Sequence, residues 1–195
     1  MKIKFKIIQS DIMKVVAING SPKKQGNTAL LINKILDGAK SNGAEVIQYD
    51  IDKMNVNGCK GCMHCRSEFK CAQKDDMAEI LENLKEADVL VIGSPIYMWQ
   101  VTGQAKIFLD RLYPVVNADF SPRLSNIKTA TVYVQANPDE SAFAPYIENT
   151  NSMLNFLGLN VVKSIVKGGV GAPGDVLNHE NTLEQAFNIG KKLTE

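Results

Sequence analysis

From Lys14 onward, apolar runs alternate with amphipathic stretches. Lys14-Val15-Val16-Ala17-Ile18-Asn19 is nearly continuously apolar, the pattern of a strand buried on both faces. Leu31, Ile32, Ile35, Leu36 and Ala39 recur at helical spacing and predict a helix over 28–40. A second strand is expected over 45–50, then a long loop over 55–74. Asp75 is expected to cap a helix carrying Met77, Ile80, Leu81 and Leu84 on its inner face. Ala87-Asp88-Val89-Leu90-Val91-Ile92-Gly93 is a third strand, followed by a loop over 94–102. A helix over 103–113 is expected to stop at Pro114. A fourth strand over 128–135, a helix over 141–157 capped by Gly158, a fifth strand over 160–166 and a helix over 178–193 complete the chain.

Strands that alternate with helices and read as buried on both faces make an α/β fold with a parallel sheet. Five of them in this length suit a doubly wound, flavodoxin-like arrangement: a five-stranded parallel sheet in a three-layer α/β/α sandwich. Such sheets bind ligands at the carboxyl ends of their strands. The loops to examine are therefore Gly20–Gly26, Ser94–Thr102 and Ala136–Glu140. The 55–74 loop follows the second strand and so starts at the same edge.

Composition adds limits. The 195 residues are 45% hydrophobic and 22% charged, with a net charge of +1. That is an ordinary globular domain, without the basic excess that nucleic acid or an anionic membrane would call for. No apolar run is long enough to span a bilayer. Met1 to Ile12 alternates basic and apolar residues without the apolar core of a signal peptide, and is expected to be an extension ahead of a domain over 13–195. A cytoplasmic location is expected, where clustered thiols form metal sites more readily than disulfides.

Three loops carry candidate chemistry. Gly20-Ser21-Pro22-Lys23-Lys24-Gln25-Gly26-Asn27-Thr28 leads from strand into helix with unpaired backbone N–H groups, an arrangement suited to phosphate. Ser21 and Thr28 can add hydroxyl donors, though Asn27 or Thr28 could instead be a plain helix cap. Pro95-Ile96-Tyr97-Met98-Trp99 is too apolar for a bare loop and suits the face of a flavin ring, a subunit contact or the end of the sheet. Gly169-Val170-Gly171-Ala172-Pro173-Gly174 matches a dinucleotide fingerprint literally, but no βαβ unit follows it, so it reads as a connecting loop. His64 is expected to face solvent and His179 to open the last helix. No serine, histidine and acid arrangement suggests a hydrolase. The third strand lacks the terminal aspartate of a phospho-receiver.

All four cysteines lie in Cys59-Lys60-Gly61-Cys62-Met63-His64-Cys65-Arg66-Ser67-Glu68-Phe69-Lys70-Cys71, spaced C-x2-C-x2-C-x5-C. Three tightly spaced thiols and a returning fourth favour a [4Fe–4S] cluster over the paired knuckles of zinc. Zinc, or no metal at all, stays open on spacing alone.

Taken in order, Asn19-Gly20-Ser21-Pro22, Gly26-Asn27-Thr28, Gly58-Cys59-Lys60-Gly61-Cys62 through Cys71, Asp75-Asp76-Met77, Ala87-Asp88, Gly93-Ser94-Pro95-Ile96-Tyr97, Gly103-Gln104-Ala105-Lys106 and Asp110-Arg111 resemble the NAD(P)H-dependent FMN reductase and multimeric flavodoxin group. Within that group the cysteine spacing is similar to the iron–sulfur flavoproteins. The resemblance implies FMN, with its phosphate at Ser21, Lys23, Gly26, Asn27 and Thr28 and its ring along Pro95, Ile96, Tyr97, Met98 and Trp99. The loop after the fourth strand, with Ala136 and Asn137, is the third expected contact. Gln135-Ala136-Asn137-Pro138 stands where many relatives have glycines. The resemblance also implies a homodimer or tetramer, with a neighbouring subunit closing the site. The expected activity is electron transfer through FMN and a cluster on Cys59, Cys62, Cys65 and Cys71. The alternatives are an NAD(P)H-dependent FMN or quinone reductase without a cluster, and a zinc-stabilised binding module without turnover. No catalytic residue is singled out.

Overall fold

The computed structural model describes residues 12–124 and 127–195. Of the expected N-terminal extension, only Ile12 lies among them. The strands are β1 (Lys14–Asn19), β2 (Glu45–Asp50), β3 (Val89–Tyr97), β4 (Gln100–Val101), β5 (Ile127–Val134) and β6 (Leu159–Lys167). The helices are α1 (Asn27–Ser41), α2 (Met77–Lys85), α3 (Gly103–Asp110), α4 (Ala144–Phe156) and α5 (Glu180–Leu193). Five strands form a parallel sheet in the order β2-β1-β3-β5-β6, which is the flavodoxin order. The short β4 folds back antiparallel on the end of β3.

The continuous apolar character of the strands has a direct cause. Val15 and Ala17 of β1 pack with α1 and α5 on one face, while Val16 and Ile18 pack with α2, α3 and α4 on the other. The central strands β3 and β5 alternate in the same way, so both faces are lined mainly by apolar side chains. Each fully buried aliphatic side chain contributes about 1.5–3 kcal/mol to such a core.

Helices α1 and α5 approach unusually closely, at glycines. A Cβ on Gly190 would lie 1.8 Å from the carbonyl oxygen of Ile35, and one on Gly38 would lie 2.0 Å from that of Phe187. Backbone therefore packs on backbone there.

Several boundaries differ from the sequence expectation. β3 does not stop at Gly93, because Ser94 and Pro95 continue the ladder against Tyr133 and Val134. The loop expected over 94–102 is thus mostly a β-hairpin. Helix α2 begins at Met77, after Asp76, and Asp75 does not cap it. A buried arginine, Arg111, claims the Asp75 carboxylate instead. Helix α3 ends at Asp110, and Pro114 sits inside a separate 3₁₀ turn, Tyr113–Val115. Helix α4 starts at Ala144, with proline in its first turn. Gly158 follows α4 at φ 83°, as a glycine cap requires. A 3₁₀ turn over Asp175–Asn178 precedes α5. Among the described residues, no helix is long and apolar enough to cross a membrane.

Candidate functional site

The loop between β1 and α1 is held by buried polar groups. Asn19 is fully buried. Its side-chain oxygen accepts the Ser21 N–H at 3.1 Å, and its amide donates to Asp50 at 3.0 Å. Burial opposes ionisation of Asp50, but Lys53, Asn19 and Gln48 outweigh it and hold the carboxyl below its ordinary value. From the far side, the Thr102 hydroxyl donates to the Gly20 carbonyl at 2.6 Å and accepts from Ala105 N–H at 3.1 Å. Gly20 is tight against α3, since a Cβ there would lie 2.5 Å from that of Ala105.

Helix α1 then starts with no side-chain cap and no acidic residue in its first turn. Its leading N–H groups and dipole favour an anion. The Thr28 hydroxyl, beside them, is buried and has no hydrogen-bond partner among the described residues. Such an orphan costs about 1–3 kcal/mol unless an acceptor or donor reaches it. Together these features fit a phosphate.

A cleft of about 180 Å³ opens at this point. Ser21, Lys23, Gly26, Asn27, Thr28, Pro95, Ile96, Tyr97 and Ala136 all line it. The structure does not place Met98, Trp99 or Asn137 there. Met98 and Trp99 form the tip of the β3–β4 hairpin at φ 46° and 68°, both exposed. Positive φ at both central positions is the type I′ hairpin pattern, which usually employs Asn-Gly, so with Met98 and Trp99 this tip is strained. Trp99 rests edge-on against Phe143, with ring centroids 6.3 Å apart. Asn137 uses its side-chain oxygen on Asp139 N–H and its carbonyl on Gly169 N–H.

Asn27 lines the cleft, but its amide is spent elsewhere. It donates to the carbonyls of Val170 and Ala172 and accepts Val176 N–H. This draws the glycine-rich 169–174 loop into the wall, where Val170, Gly171 and Pro173 face the cleft. Sequence reasoning treated that loop only as a connection. Its position after the carboxyl end of the last strand was the signal that it belonged with the other three. Gln135 is a second unanticipated wall residue. Its amide N–H groups hold the 136–140 loop through the carbonyls of Asn137 and Asp139, while its buried side-chain oxygen has no partner among the described residues.

The four cysteines surround one small cavity of about 70 Å³, together with Met63 and Tyr113. All four thiols are free; Cys59 and Cys62 are exposed, and Cys65 and Cys71 are half-buried. Burial, then the proximity of Cys71, Cys59 and Cys62, pushes the Cys65 thiol up. No three His, Cys, Asp or Glu side chains among the described residues are drawn in around a single metal ion. Four cysteines lining one shared cavity are, by chemistry, a donor set that suits a polynuclear iron–sulfur centre.

Two arginines fix this loop, neither of which the sequence reading assigned a role. Arg123 donates to the carbonyls of Cys65 and Arg66, and also to Pro114 and Asn117. Arg111 binds Asp75 through two nitrogens, at 2.7 and 2.9 Å, and the Asn57 carbonyl at 2.6 Å. The guanidinium overcomes the effect of burial and holds Asp75 down to about 2. His64 faces Glu68 at 3.0 Å on the surface.

The chain is 37% identical over 188 residues to an iron–sulfur flavoprotein of Methanocaldococcus jannaschii, covering 94% of this chain and 96% of that one. It is 33% identical over 186 residues to an iron–sulfur flavoprotein of Archaeoglobus fulgidus, covering 94% and 80%. Among solved structures, an NAD(P)H:quinone oxidoreductase from Methanothermobacter marburgensis shares the fold with a TM-score of 0.71 at 18% identity, covering 94% of this chain and 98% of that one. Residues 13–167 match the NADPH-dependent FMN reductase family. The chain belongs to that family and is an FMN-dependent oxidoreductase.

Proposed function

We propose that the protein transfers electrons between a reduced donor and an acceptor through FMN and one [4Fe–4S] cluster held by Cys59, Cys62, Cys65 and Cys71. The observation that supports this reading is that all four cysteines are among the residues lining a single cavity. Two relatives that match nearly the whole chain are named iron–sulfur flavoproteins, which supports it. Bound here, a flavin exchanges electrons in pairs or singly and a four-iron cluster singly, so the two together join two-electron to one-electron chemistry.

The chain's own part is binding and orientation. The first turn of α1, Ser21 and the Thr28 hydroxyl would receive the phosphate. A cleft of 180 Å³ is smaller than the ~300–1,000 Å³ of a complete ligand pocket. It suits the polar end of FMN and leaves the ring along Pro95, Ile96 and Tyr97. Met98 and Trp99, exposed beyond that rim, would be covered by a neighbouring subunit in a homodimer or tetramer. NAD(P)H is the candidate donor, and the cytoplasm the expected setting.

The test is the absorbance spectrum of protein purified without oxygen, with iron, sulfide and zinc assayed on the same sample. Flavin bands with a broad shoulder that dithionite bleaches, and about four iron and four sulfide per chain, are expected. Flavin bands without iron would sink the cluster and leave a simple flavin reductase. Zinc in place of iron would make the cysteine loop structural.

A further inference from the structure

Gln135, the first residue after β5, has all but one of its polar atoms bonded within the protein. Its backbone N–H donates to the Lys167 carbonyl at 3.0 Å, and its own carbonyl accepts the Val170 N–H at 3.1 Å. Its side-chain Nε2 donates to the carbonyls of Asp139 at 2.6 Å and Asn137 at 3.3 Å. An amide nitrogen has two hydrogens, so both are used. The exception is Oε1, which is buried and has no hydrogen-bond partner among the described residues. The whole residue is only 3% exposed.

The partners of the amide fix which end is oxygen. Turned over, Gln135 would set its oxygen against two carbonyl oxygens, one of them 2.6 Å away. The unmet atom is therefore an acceptor, and what it lacks is a donor. Gln135 belongs to the wall of the 180 Å³ cleft, together with Ser21, Gly26 and Thr28. This is the cleft assigned above to the polar end of FMN. A phosphate monoester is largely ionised at neutral pH and offers acceptors. It suits the N–H groups of α1 and the Thr28 hydroxyl, but it gives Gln135 nothing. The ribityl chain beside it carries hydroxyls, and each is a donor.

We propose that Gln135 is a specificity-determining residue of the flavin site: its Oε1 accepts a hydrogen bond from one ribityl hydroxyl of FMN, so the cleft reads the sugar alcohol as well as the phosphate. The proposal rests on the placement of the polar end of FMN in this cleft. The acceptor is already out of water before a ligand arrives, so meeting it costs the protein little further desolvation. A site built to bond a hydroxyl rejects the analogue that lacks it, because the acceptor then stays buried and unpaired. The bonds from Lys167, Val170, Asn137 and Asp139 make the arrangement specific, since they keep the side chain from turning to another donor.

The test is a cycle of protein variant against ligand analogue, read as dissociation constants. Full-length wild type and Gln135→Met, freed of flavin, are titrated with FMN, riboflavin, FMN analogues that each lack one ribityl hydroxyl, and FMN methylated at the ring N3. Wild type is expected to bind one of the deoxy analogues at least tenfold more weakly than FMN. Gln135→Met is expected to bind FMN more weakly than wild type does and to hold that analogue as well as FMN. Damage to the 136–140 loop alone would weaken every ligand equally and leave the discrimination in place, which would overturn the proposal. So would a wild type indifferent to every hydroxyl, or a variant that loses only its sensitivity to the N3 methyl group. Riboflavin bound as tightly as FMN overturns the placement of the phosphate in the cleft, and this proposal with it. If Gln135→Met does not fold, Gln135→Asn takes its place. It keeps an amide but withdraws the oxygen by one methylene, and the same loss of discrimination is expected.

Discussion

The side-chain oxygen of Asn27, in the first turn of α1, accepts the backbone N–H of Val176 at 3.1 Å, across most of the chain's length. The same side chain donates to Val170 and Ala172. One amide thus joins the start of the phosphate-type loop to the loop after the last strand. Asn27→Ala is expected to leave two buried backbone groups, the Val170 carbonyl and the Val176 N–H, without partners, at about 1 kcal/mol or more each. The variant should melt earlier, and fluorescence titration should show FMN held at least tenfold more weakly. Unchanged affinity would mean that the 169–174 loop is not part of the site.

Thr28 offers a test with opposite signs. Its buried hydroxyl has no hydrogen-bond partner among the described residues. Thr28→Val removes that orphan at nearly constant shape, so the apoprotein should be as stable as wild type or slightly more so. A hydrogen bond to a charged group is worth about 1.5–3 kcal/mol. Loss of the one to a phosphate should therefore weaken FMN binding about tenfold or more. Apoprotein melting and FMN titration, run side by side, separate the two effects.

Asp75 should give stability a dependence on acid pH. Its folded value of about 2 lies below the ~3.9 of a free aspartate. A depressed carboxyl contributes fully above the unfolded value and loses that contribution as pH falls through the folded one. The pair should add about 2 kcal/mol above pH ~5, declining from pH ~4 and gone below pH ~2. Urea unfolding across this range should show the slope, and Asp75→Asn should flatten it.

Gly190→Ala tests the contact between α1 and α5. A Cβ 1.8 Å from the Ile35 carbonyl cannot be accommodated without separating the helices. Overpacking of this kind costs about 1–3 kcal/mol, occasionally more. Alanine's better helix propensity, about 1 kcal/mol, offsets only part of that. Chemical unfolding should show a net loss. A stabilised variant would contradict the close approach.

The elements whose apolar residues sit on one regular period were legible in advance. β1 and β2 coincide with their expected ranges because each residue pairs directly with its neighbour in the sheet. The end of β3 was misjudged because Gly93-Ser94-Pro95 has the composition of a turn, while its pairing to β5 depends on a strand far away in sequence. Asp75 was misread for a related reason. Its local context is that of a helix cap, and nothing near it announces the guanidinium that claims it.

The sequence by itself determined the layered α/β class, the loops at the carboxyl edge of the sheet and the clustering of the thiols. These follow from local periodicity and from short spacings that any folded form of the chain must respect. Only the tertiary structure decided that Asn27 is spent on the 169–174 loop, that Met98 and Trp99 sit outside the cleft, and that Arg111 and Arg123 fix the cysteine loop. Those outcomes depend on which buried polar groups meet across the sheet. A buried donor, acceptor or charge takes whatever partner the packing brings within about 3 Å, and the linear order of residues does not record that distance.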